Sequence, residues 1–189
     1  MPRAALIALL LLAALPAAAR ADRQMDPELR GVLADALQPA DCFADRYERA
    51  VWFAFMEPRL SRYVKDGQER EQILHHVHCE ARRVDVPPEL VLAVMDVESR
   101  FDRYAVSSAG AVGLMQVMPF WPGELGMTNS QLIRVSDNIR MGTTILSYYL
   151  RKERGNYQRA LQRYNGSLGR PNYSDLVIDR LVSRWRYAY

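Results

Sequence analysis

The sequence is poor in the residues and patterns that support several common classes of protein. It contains only two cysteines and three histidines in 189 residues, whereas a structural zinc site usually needs four ligands, mostly of these types. Alternating apolar and polar runs, which form half-buried strands, are missing. Apolar residues recur instead at helical i, i+3 and i+4 spacing along the chain. The sequence therefore predicts an all-α protein.

A large excess of charge is also missing. Lys and Arg total 25 against 22 Asp and Glu, and two of the arginines but none of the acids lie in residues 1–21, which leaves 23 basic and 22 acidic side chains. A nucleic-acid-binding protein needs a clustered basic face. The near-neutral balance gives that class little support, so we expect no nucleic-acid partner.

Only the N terminus has a long apolar run. It follows Arg3 as far as Leu15, and small residues with an A-x-A pattern end at Ala21, in the order typical of a secretory signal. The run is too short to cross a membrane comfortably. We predict a cleavable signal at residues 1–21, export to the periplasm and no transmembrane segment after cleavage. An uncleaved anchor is the alternative.

The two cysteines are Cys42 and Cys79. Because export leads to an oxidising compartment, we expect them to form a disulfide; two separate buried thiols are the alternative. His75 and His78 precede Cys79 at helical spacing and raise the question of a metal site. A disulfide would use Cys79 and no second ligand cluster exists, so we predict no metal and no cofactor.

The 168 residues after the signal, the remainder of 189 less 21, suit one domain. Periodicity predicts helices at about residues 26–37, 43–56, 68–83, 88–100, 134–153, 156–163 and 174–186. Residues 101–133 form the only extended region without strong helical periodicity. Such irregular segments within a compact domain are commonly functional.

The helix predicted over residues 88–100 is apolar on nearly every side and should run through the core. Its two late acids, Asp96 and Glu98, point about 200° apart and cannot share a site. We interpret Asp96 as an i, i+4 partner of Arg100.

Glu98 follows Val94 and Met95 at helical spacing and precedes another acid, Asp102. Apolar surroundings and a neighbouring carboxylate both disfavour ionisation and would raise its pKa, as a general acid near neutrality requires. The alternative is a solvent-exposed glutamate at a helix end.

The segment from residue 98 to residue 119 resembles the motif of the family 1 lytic transglycosylases, the soluble lytic transglycosylase (SLT) domain related in fold to goose-type lysozyme. The matching residues are Glu98-Ser99, Ser107, Gly110-Ala111, Gly113-Leu114-Met115-Gln116 and Met118-Pro119. Further blocks are similar to the family in the same order: Asn138-Ile139 with Gly142, Tyr164-Asn165 with Gly166, and Tyr173 with Val177. The resemblance covers about residues 82–178.

The sequence departs from the family pattern at three positions: Arg163 precedes Tyr-Asn, Ser167 follows Gly166, and Ile145 replaces a common aromatic residue. These departures affect subsite details rather than the acid.

The resemblance implies a lysozyme-like helical domain at residues 82–189, preceded by a helical extension at 22–81 that the disulfide holds to the domain. It also implies cleavage of the β-1,4 bond between N-acetylmuramic acid and N-acetylglucosamine in peptidoglycan, without water as acceptor. Glu98 would protonate the glycosidic oxygen and then deprotonate the C6 hydroxyl, giving a 1,6-anhydro end. We expect peptidoglycan glycan strands as the partner and a monomeric protein.

By family position, five residues would line the substrate site: Ser107, Gln116, Met118, Tyr164 and Asn165. The resemblance implies that the Tyr164 hydroxyl holds Glu98 or the sugar, and that the Ser107 hydroxyl bonds near Glu98 or the acetamido group. Met118 could instead belong to the core, and Asn165 could simply shape a helix end.

Two other functions remain open at this point. A muramidase-type hydrolase on the same fold would need a second carboxylate to activate water, and Asp102 is the obvious candidate. A non-catalytic peptidoglycan-binding or scaffold protein would use the groove without turnover.

Overall fold

The computed structural model of the chain describes residues 27–35, 42–43, 46–124 and 128–186. The signal predicted at residues 1–21 lies outside these ranges. The helices are α1 (Pro27–Asp35), α2 (Arg46–Leu60), α3 (Gly67–Arg83), α4 (Pro88–Glu98), α5 (Phe120–Glu124), α6 (Val135–Lys152), α7 (Tyr157–Tyr164) and α8 (Asn172–Arg180). A 3₁₀ turn at Asn129–Ile133 precedes α6, and a π turn at Leu181–Trp185 continues α8. Within the described ranges no strand forms, which confirms the all-α prediction.

Local sequence signals set the helix boundaries much as predicted. Asp66 caps α3 by accepting the Glu69 N–H at 2.7 Å, and Pro88 begins α4, where a missing N–H has no helical partner to lose. After α6 the chain reverses at Gly155, whose φ of +79° is unfavourable for other residues. Its N–H donates to the Leu150 carbonyl at 2.8 Å, which ends the helix as the sequence indicated.

Helix α4 is the central element of the core. Every side chain from Leu90 to Met95 is fully buried. The helix packs against α3, α8 and the π turn, while α6 packs against α3 and α7. Because burial of each large apolar side chain contributes about 1.5–3 kcal/mol, this arrangement fixes the position of the residue at the C-terminal end of α4.

A buried ion cluster joins α3 to α6. The Glu80 carboxylate, 3% exposed, accepts from Arg83 at 2.6 Å and from Arg140 at 2.8 Å. Arg83 also donates to the Thr144 hydroxyl at 2.6 Å. Since a buried carboxylate is strongly unfavourable without such partners, the cluster fixes how the two helices align.

Asp96 does not pair with Arg100 as the sequence suggested. Its buried carboxylate accepts from Trp185 Nε1 at 3.0 Å, from the Tyr63 hydroxyl at 3.2 Å and from Arg184 at 3.3 Å. The helix has ended before Arg100, which has a positive φ, so the i, i+4 geometry assumed for that pair does not exist. Asp96 instead attaches the C-terminal π turn to α4.

The predicted disulfide between Cys42 and Cys79 is present, with the Cα atoms 4.7 Å apart. Trp52 of α2 donates to the Leu74 carbonyl of α3 at 3.0 Å, so α2 is also linked to α3. Helix α3 runs through the boundary expected at residue 81, and the division into extension and domain stays a prediction. In the part of the chain described, no helix has both the length and the hydropathy of a membrane span.

Candidate active site

Glu98 is the last residue of α4, two residues earlier than the predicted helix end. The chain then turns sharply, with φ of 52° at Arg100 and 66° at Phe101. The Ser99 hydroxyl holds this turn, because it donates to the Leu114 carbonyl at 2.7 Å and accepts the Phe101 N–H at 3.1 Å. The end of the core helix is thereby connected directly to the loop that follows.

Burial raises the pKa of Glu98 from 4.5 to about 7, because the low-dielectric surroundings disfavour the charged carboxylate. A hydrogen bond from the Tyr173 hydroxyl to Glu98 Oε1, 2.6 Å long, acts in the opposite direction and lowers the pKa. The raised value agrees with the prediction from the apolar neighbours of Glu98.

The second cause proposed from the sequence, a nearby Asp102 carboxylate, does not contribute to the pKa of Glu98. Asp102 is exposed, and its Oδ1 accepts the Tyr104 N–H at 2.8 Å. This is the local turn that a short acidic side chain commonly forms. Asp102 therefore shapes the loop.

The loop opposite Glu98 is held by one buried side chain of α6, Asn138, which is 1% exposed. Its Oδ1 accepts the Met115 N–H at 2.8 Å, and its Nδ2 donates to the carbonyls of Val112 at 2.9 Å and Leu132 at 2.8 Å. These three bonds satisfy buried backbone groups that would otherwise be costly to leave unpaired. We call this arrangement the Asn138 bracket.

Two glycines make the bracket sterically feasible. A Cβ on Gly113 would lie 2.4 Å from Asn138 Nδ2, and the φ of Gly113 is +79°. A Cβ on Gly142 would lie 2.5 Å from Met115 Cβ. The motif residues Gly113, Asn138 and Gly142 thus form one packing unit, although they are separated in sequence.

Tyr164 lies close to Glu98 but does not bond to it. Its hydroxyl donates to the Met115 carbonyl at 2.7 Å. Burial, followed by the nearby Glu98 carboxylate, raises the pKa of Tyr164 well above its ordinary value, as expected for a phenol that stays protonated. The hydroxyl that bonds to Glu98 in this structure is that of Tyr173, and contact of Tyr164 with the sugar stays a prediction.

The hydrogen-bonding groups of Ser107 and Gln116 serve the loop itself. Ser107 Oγ accepts the Ala111 N–H at 3.0 Å, and no hydrogen bond joins it to Glu98 within the described structure. The Gln116 amide donates to the carbonyls of Ala105 and Gly113, each at 3.1 Å. Both side chains are half-buried.

Met118 and Asn165 have the positions described by their alternative interpretations, a core residue and a helix end. Met118 is half-buried and packs against the core. Asn165 is exposed and ends α7, where its N–H donates to the Leu161 carbonyl at 3.0 Å. Their contact with a substrate stays a prediction.

The histidines considered as metal ligands do not converge on one site. His75 Nε2 lies 3.5 Å from Cys79 Sγ, but that sulfur is in the disulfide. His78 stacks on the Phe43 ring with centroids 4.2 Å apart, and burial lowers its pKa. His75 lies beside Cys42 and Cys79, but both sulfurs are in the disulfide, so among the described residues of this group only His75 has a free ligand atom.

Together these features define a class of protein: an all-α domain in which a glutamic acid with a pKa of about 7 ends the core helix, next to a loop fixed by a buried asparagine. The sequence model of the transglycosylase SLT domain matches residues 77–174, just over half of the chain. The chain belongs to this family, and the resemblance stated from the sequence is confirmed.

Two relatives are similar to parts of the chain. The membrane-bound lytic murein transglycosylase C of Actinobacillus pleuropneumoniae serotype 5b is 52% identical over 48 residues, which cover 25% of this chain and 13% of the relative. The protein of that name from Yersinia pestis strain Pestoides F is 36% identical over 109 residues, 49% of this chain and 30% of the relative. The chain thus spans less than a third of these relatives.

Among solved structures, an inactive mutant of the lytic transglycosylase Slt from Pseudomonas aeruginosa is 27% identical, with a TM-score of 0.48. The match covers 71% of this chain and 25% of the Pseudomonas chain.

Proposed function

We propose that the protein is a peptidoglycan lytic transglycosylase that cleaves the bond between N-acetylmuramic acid and N-acetylglucosamine and leaves 1,6-anhydro ends. The observation that carries this proposal is Glu98, a carboxyl group with a pKa of about 7 at the end of the core helix, in a chain of the SLT family. The names of the murein transglycosylase relatives support it.

The pKa of Glu98 suits a single group that acts first as an acid and then as a base. At neutral pH the protonated and ionised forms are both well populated, so neither proton transfer is strongly uphill. The protonated form donates to the glycosidic oxygen. The carboxylate then removes the proton of the C6 hydroxyl, which attacks C1 of the same muramic residue.

Tyr173 supports the second half of this cycle. Its hydroxyl donates to Glu98 Oε1, and a donor bond of this kind favours the ionised form. It therefore stabilises the carboxylate after the first proton transfer and holds it in one orientation. Because the Tyr173 hydroxyl bonds to Oε1 of Glu98, the other carboxyl oxygen, Oε2, carries the transferred proton.

The remaining site residues act mainly through the loop. Gln116 and Ser107 stabilise the backbone of the loop. The side-chain oxygen of Gln116 and the hydroxyl hydrogen of Ser107 are left to form hydrogen bonds with the sugar. Tyr164 fixes Met115, Met118 gives an apolar wall, and Asn165 lies at the rim. In this proposal a few polar groups contact the substrate and the rest of the lining is apolar, as in most ligand sites.

We also propose that the protein acts in the periplasm, in contact with the cell envelope. The apolar segment predicted as a signal supports export, and the relatives named as membrane-bound support association with the envelope.

Digestion of purified peptidoglycan followed by mass spectrometry tests the proposed reaction. We expect muropeptides that lack one water relative to hydrolysis products and take up no label from ¹⁸O-water. Glu98→Gln should remain folded and lose roughly 10²–10⁴-fold in rate, because the amide cannot donate the acid proton. Reducing ends labelled with ¹⁸O, or activity in Glu98→Gln above a tenth of wild type, would contradict the proposal.

Asp102→Asn separates the transglycosylase from the two-carboxylate hydrolase. The amide keeps an oxygen that can accept the Tyr104 N–H, so the loop should stay intact and most activity should remain, with anhydro products. A folded Asp102→Asn variant as inactive as Glu98→Gln would instead indicate that Asp102 positions water.

A further inference from the structure

A strongly basic cleft lies between the end of α2, the turn after α4 and the π turn. Its volume is about 620 Å³, within the range of ligand sites. Five arginines line it: Arg59, Arg62, Arg100, Arg184 and Arg186. This clustering contrasts with the near-neutral balance of the whole chain after the predicted signal.

Little negative charge compensates these arginines. No Asp or Glu lines the cleft among the residues with described positions. The carboxylate of Asp96 bonds to Arg184 at the edge, but it is buried and shared with Tyr63 and Trp185. A cleft lined by charges of one sign concentrates their field and attracts ions of the opposite sign.

Two of the arginines are available to a ligand. Arg62 and Arg100 are exposed, and neither side chain has a hydrogen-bond or ion-pair partner within the described ranges. Arg186 is exposed as well, but it also lines a smaller cavity with Glu89. A guanidinium group can pair with a carboxylate or phosphate through two parallel hydrogen bonds.

Glu98 does not line the cleft, although Arg100 does. Asp96 and Glu98 point to different sides of α4: Asp96 bonds to residues of the cleft, Tyr63 and Arg184, whereas Glu98 bonds to Tyr173. A ligand in the cleft therefore lies behind the helix that carries the acid.

We propose that this cleft binds the free carboxylate groups of peptidoglycan stem peptides. The inference rests on the proposed function, which places the protein against a polymer whose anionic groups lie on peptides that project from the glycan. A concave site with several arginines fits a short segment with more than one carboxylate. Such binding would hold the enzyme on the wall while Glu98 acts on a glycan strand on the other face.

Calorimetric titration with a synthetic stem tetrapeptide tests the proposal directly, with the full mature protein at low ionic strength. We expect binding that weakens with added salt and disappears when the carboxyl groups of the peptide are amidated. Arg62→Ala combined with Arg100→Ala should weaken binding roughly fivefold to tenfold. Both side chains are exposed, so the fold should be unaffected.

Arg46→Ala combined with Arg154→Ala is the matched control. It removes the same charge outside the cleft, and Arg154 has a φ of 54°, close to the 52° of Arg100. The control should bind the peptide like wild type. An equal loss in both double variants, or no loss in Arg62→Ala/Arg100→Ala, would overturn the proposal. Inorganic pyrophosphate binding in the cleft more tightly than the peptide would overturn the choice of carboxylate.

The titration is independent of the proposed reaction, because the free peptide contains no glycosidic bond. Peptide binding without anhydro products would leave the cleft assigned and reject the transglycosylase activity. Anhydro products without peptide binding would support the transglycosylase activity and reject the assignment of the cleft.

Discussion

Glu98 is subject to two opposing effects on its carboxyl group, burial and the hydrogen bond from Tyr173, and burial is the larger. If the protonated form starts the reaction, kcat/KM should be level below pH 7 and fall about tenfold per unit above it. Rates on soluble glycan strands between pH 3.5 and 9 check this. A fall in kcat/KM that begins near pH 4.5 would show that Glu98 titrates like an exposed glutamate.

The same pKa has a consequence for stability. The native state holds the Glu98 proton between pH 4.5, the ordinary value, and about pH 7, so in this window it binds more protons than the unfolded state. The raised pKa contributes up to about 3 kcal/mol to the free energy of unfolding. This contribution is complete below pH 4.5 and is lost as the pH rises through 7. Urea unfolding should therefore give wild type a lower free energy of unfolding at pH 8 than at pH 5. Glu98→Gln should lack this difference, because the amide does not titrate.

Tyr173→Phe removes the bond that favours the ionised carboxylate. The pKa of Glu98 should rise further, and the alkaline limb of kcat/KM should move to higher pH. Tyr164→Phe is the control, because it also removes a buried hydroxyl but one that bonds to Met115. A limb that moves equally in both variants would mean that general loosening of the site, and not the Tyr173 bond, sets the pKa.

At the scale of elements, the Asn138 bracket shows how family motifs that are far apart in sequence form one unit in space. Gly142→Ala should displace Met115, since the new Cβ would lie 2.5 Å from Met115 Cβ, and overpacking of this kind costs about 1–3 kcal/mol. Thermal unfolding should show the loss, with reduced activity because Met115 also anchors Tyr164.

Gly31→Ala in α1 is the matched control for that substitution. Nothing lies within 4 Å of the added Cβ, so the better helix propensity of alanine should stabilise the protein slightly. A stabilising Gly142→Ala would show that the loop adapts and that the bracket is not rigid.

Sequence periodicity and capping residues predicted the helices apart from the short α5, which lies in the segment without helical periodicity. Both signals act over a few residues. The prediction of α4 and its punctuation by Pro88 was correct to within two residues at its end. The partners of Asp96 and Glu98 were not predictable in this way. Trp185 and Tyr173 lie 89 and 75 residues away in sequence, and only the packing of α8 and the π turn on α4 brings them there.

The family motif did contain Tyr173, but a motif gives residue types in order and not which hydroxyl reaches which oxygen. Tyr164 and Tyr173 are both tyrosines near the acid, and the choice between them depends on a difference of position within two neighbouring helices. The basic cleft could not be seen in the sequence either, because its arginines come from three separate segments.

For the whole molecule, the disulfide joins positions 37 residues apart and restricts the unfolded chain. In the chain-entropy model a loop of this size contributes about 3–4 kcal/mol. Cys42→Ser combined with Cys79→Ser should therefore lower the melting temperature, while activity per molecule at low temperature stays near wild type. Thiol titration of the denatured, non-reduced protein should find no free thiol; two would contradict the bridge.

The burial of Glu98 depends on a helix, α8, that comes late in the chain and carries Tyr173. A ribosome makes the acid long before the tyrosine, and α8 can cover Glu98 only after nearly all of the chain has left the ribosome. Until then the carboxyl group is in water, with an ordinary pKa, and is ionised at neutral pH. A chain that lacks α8 should therefore keep Glu98 largely ionised at neutral pH, without the proton that the proposed reaction requires.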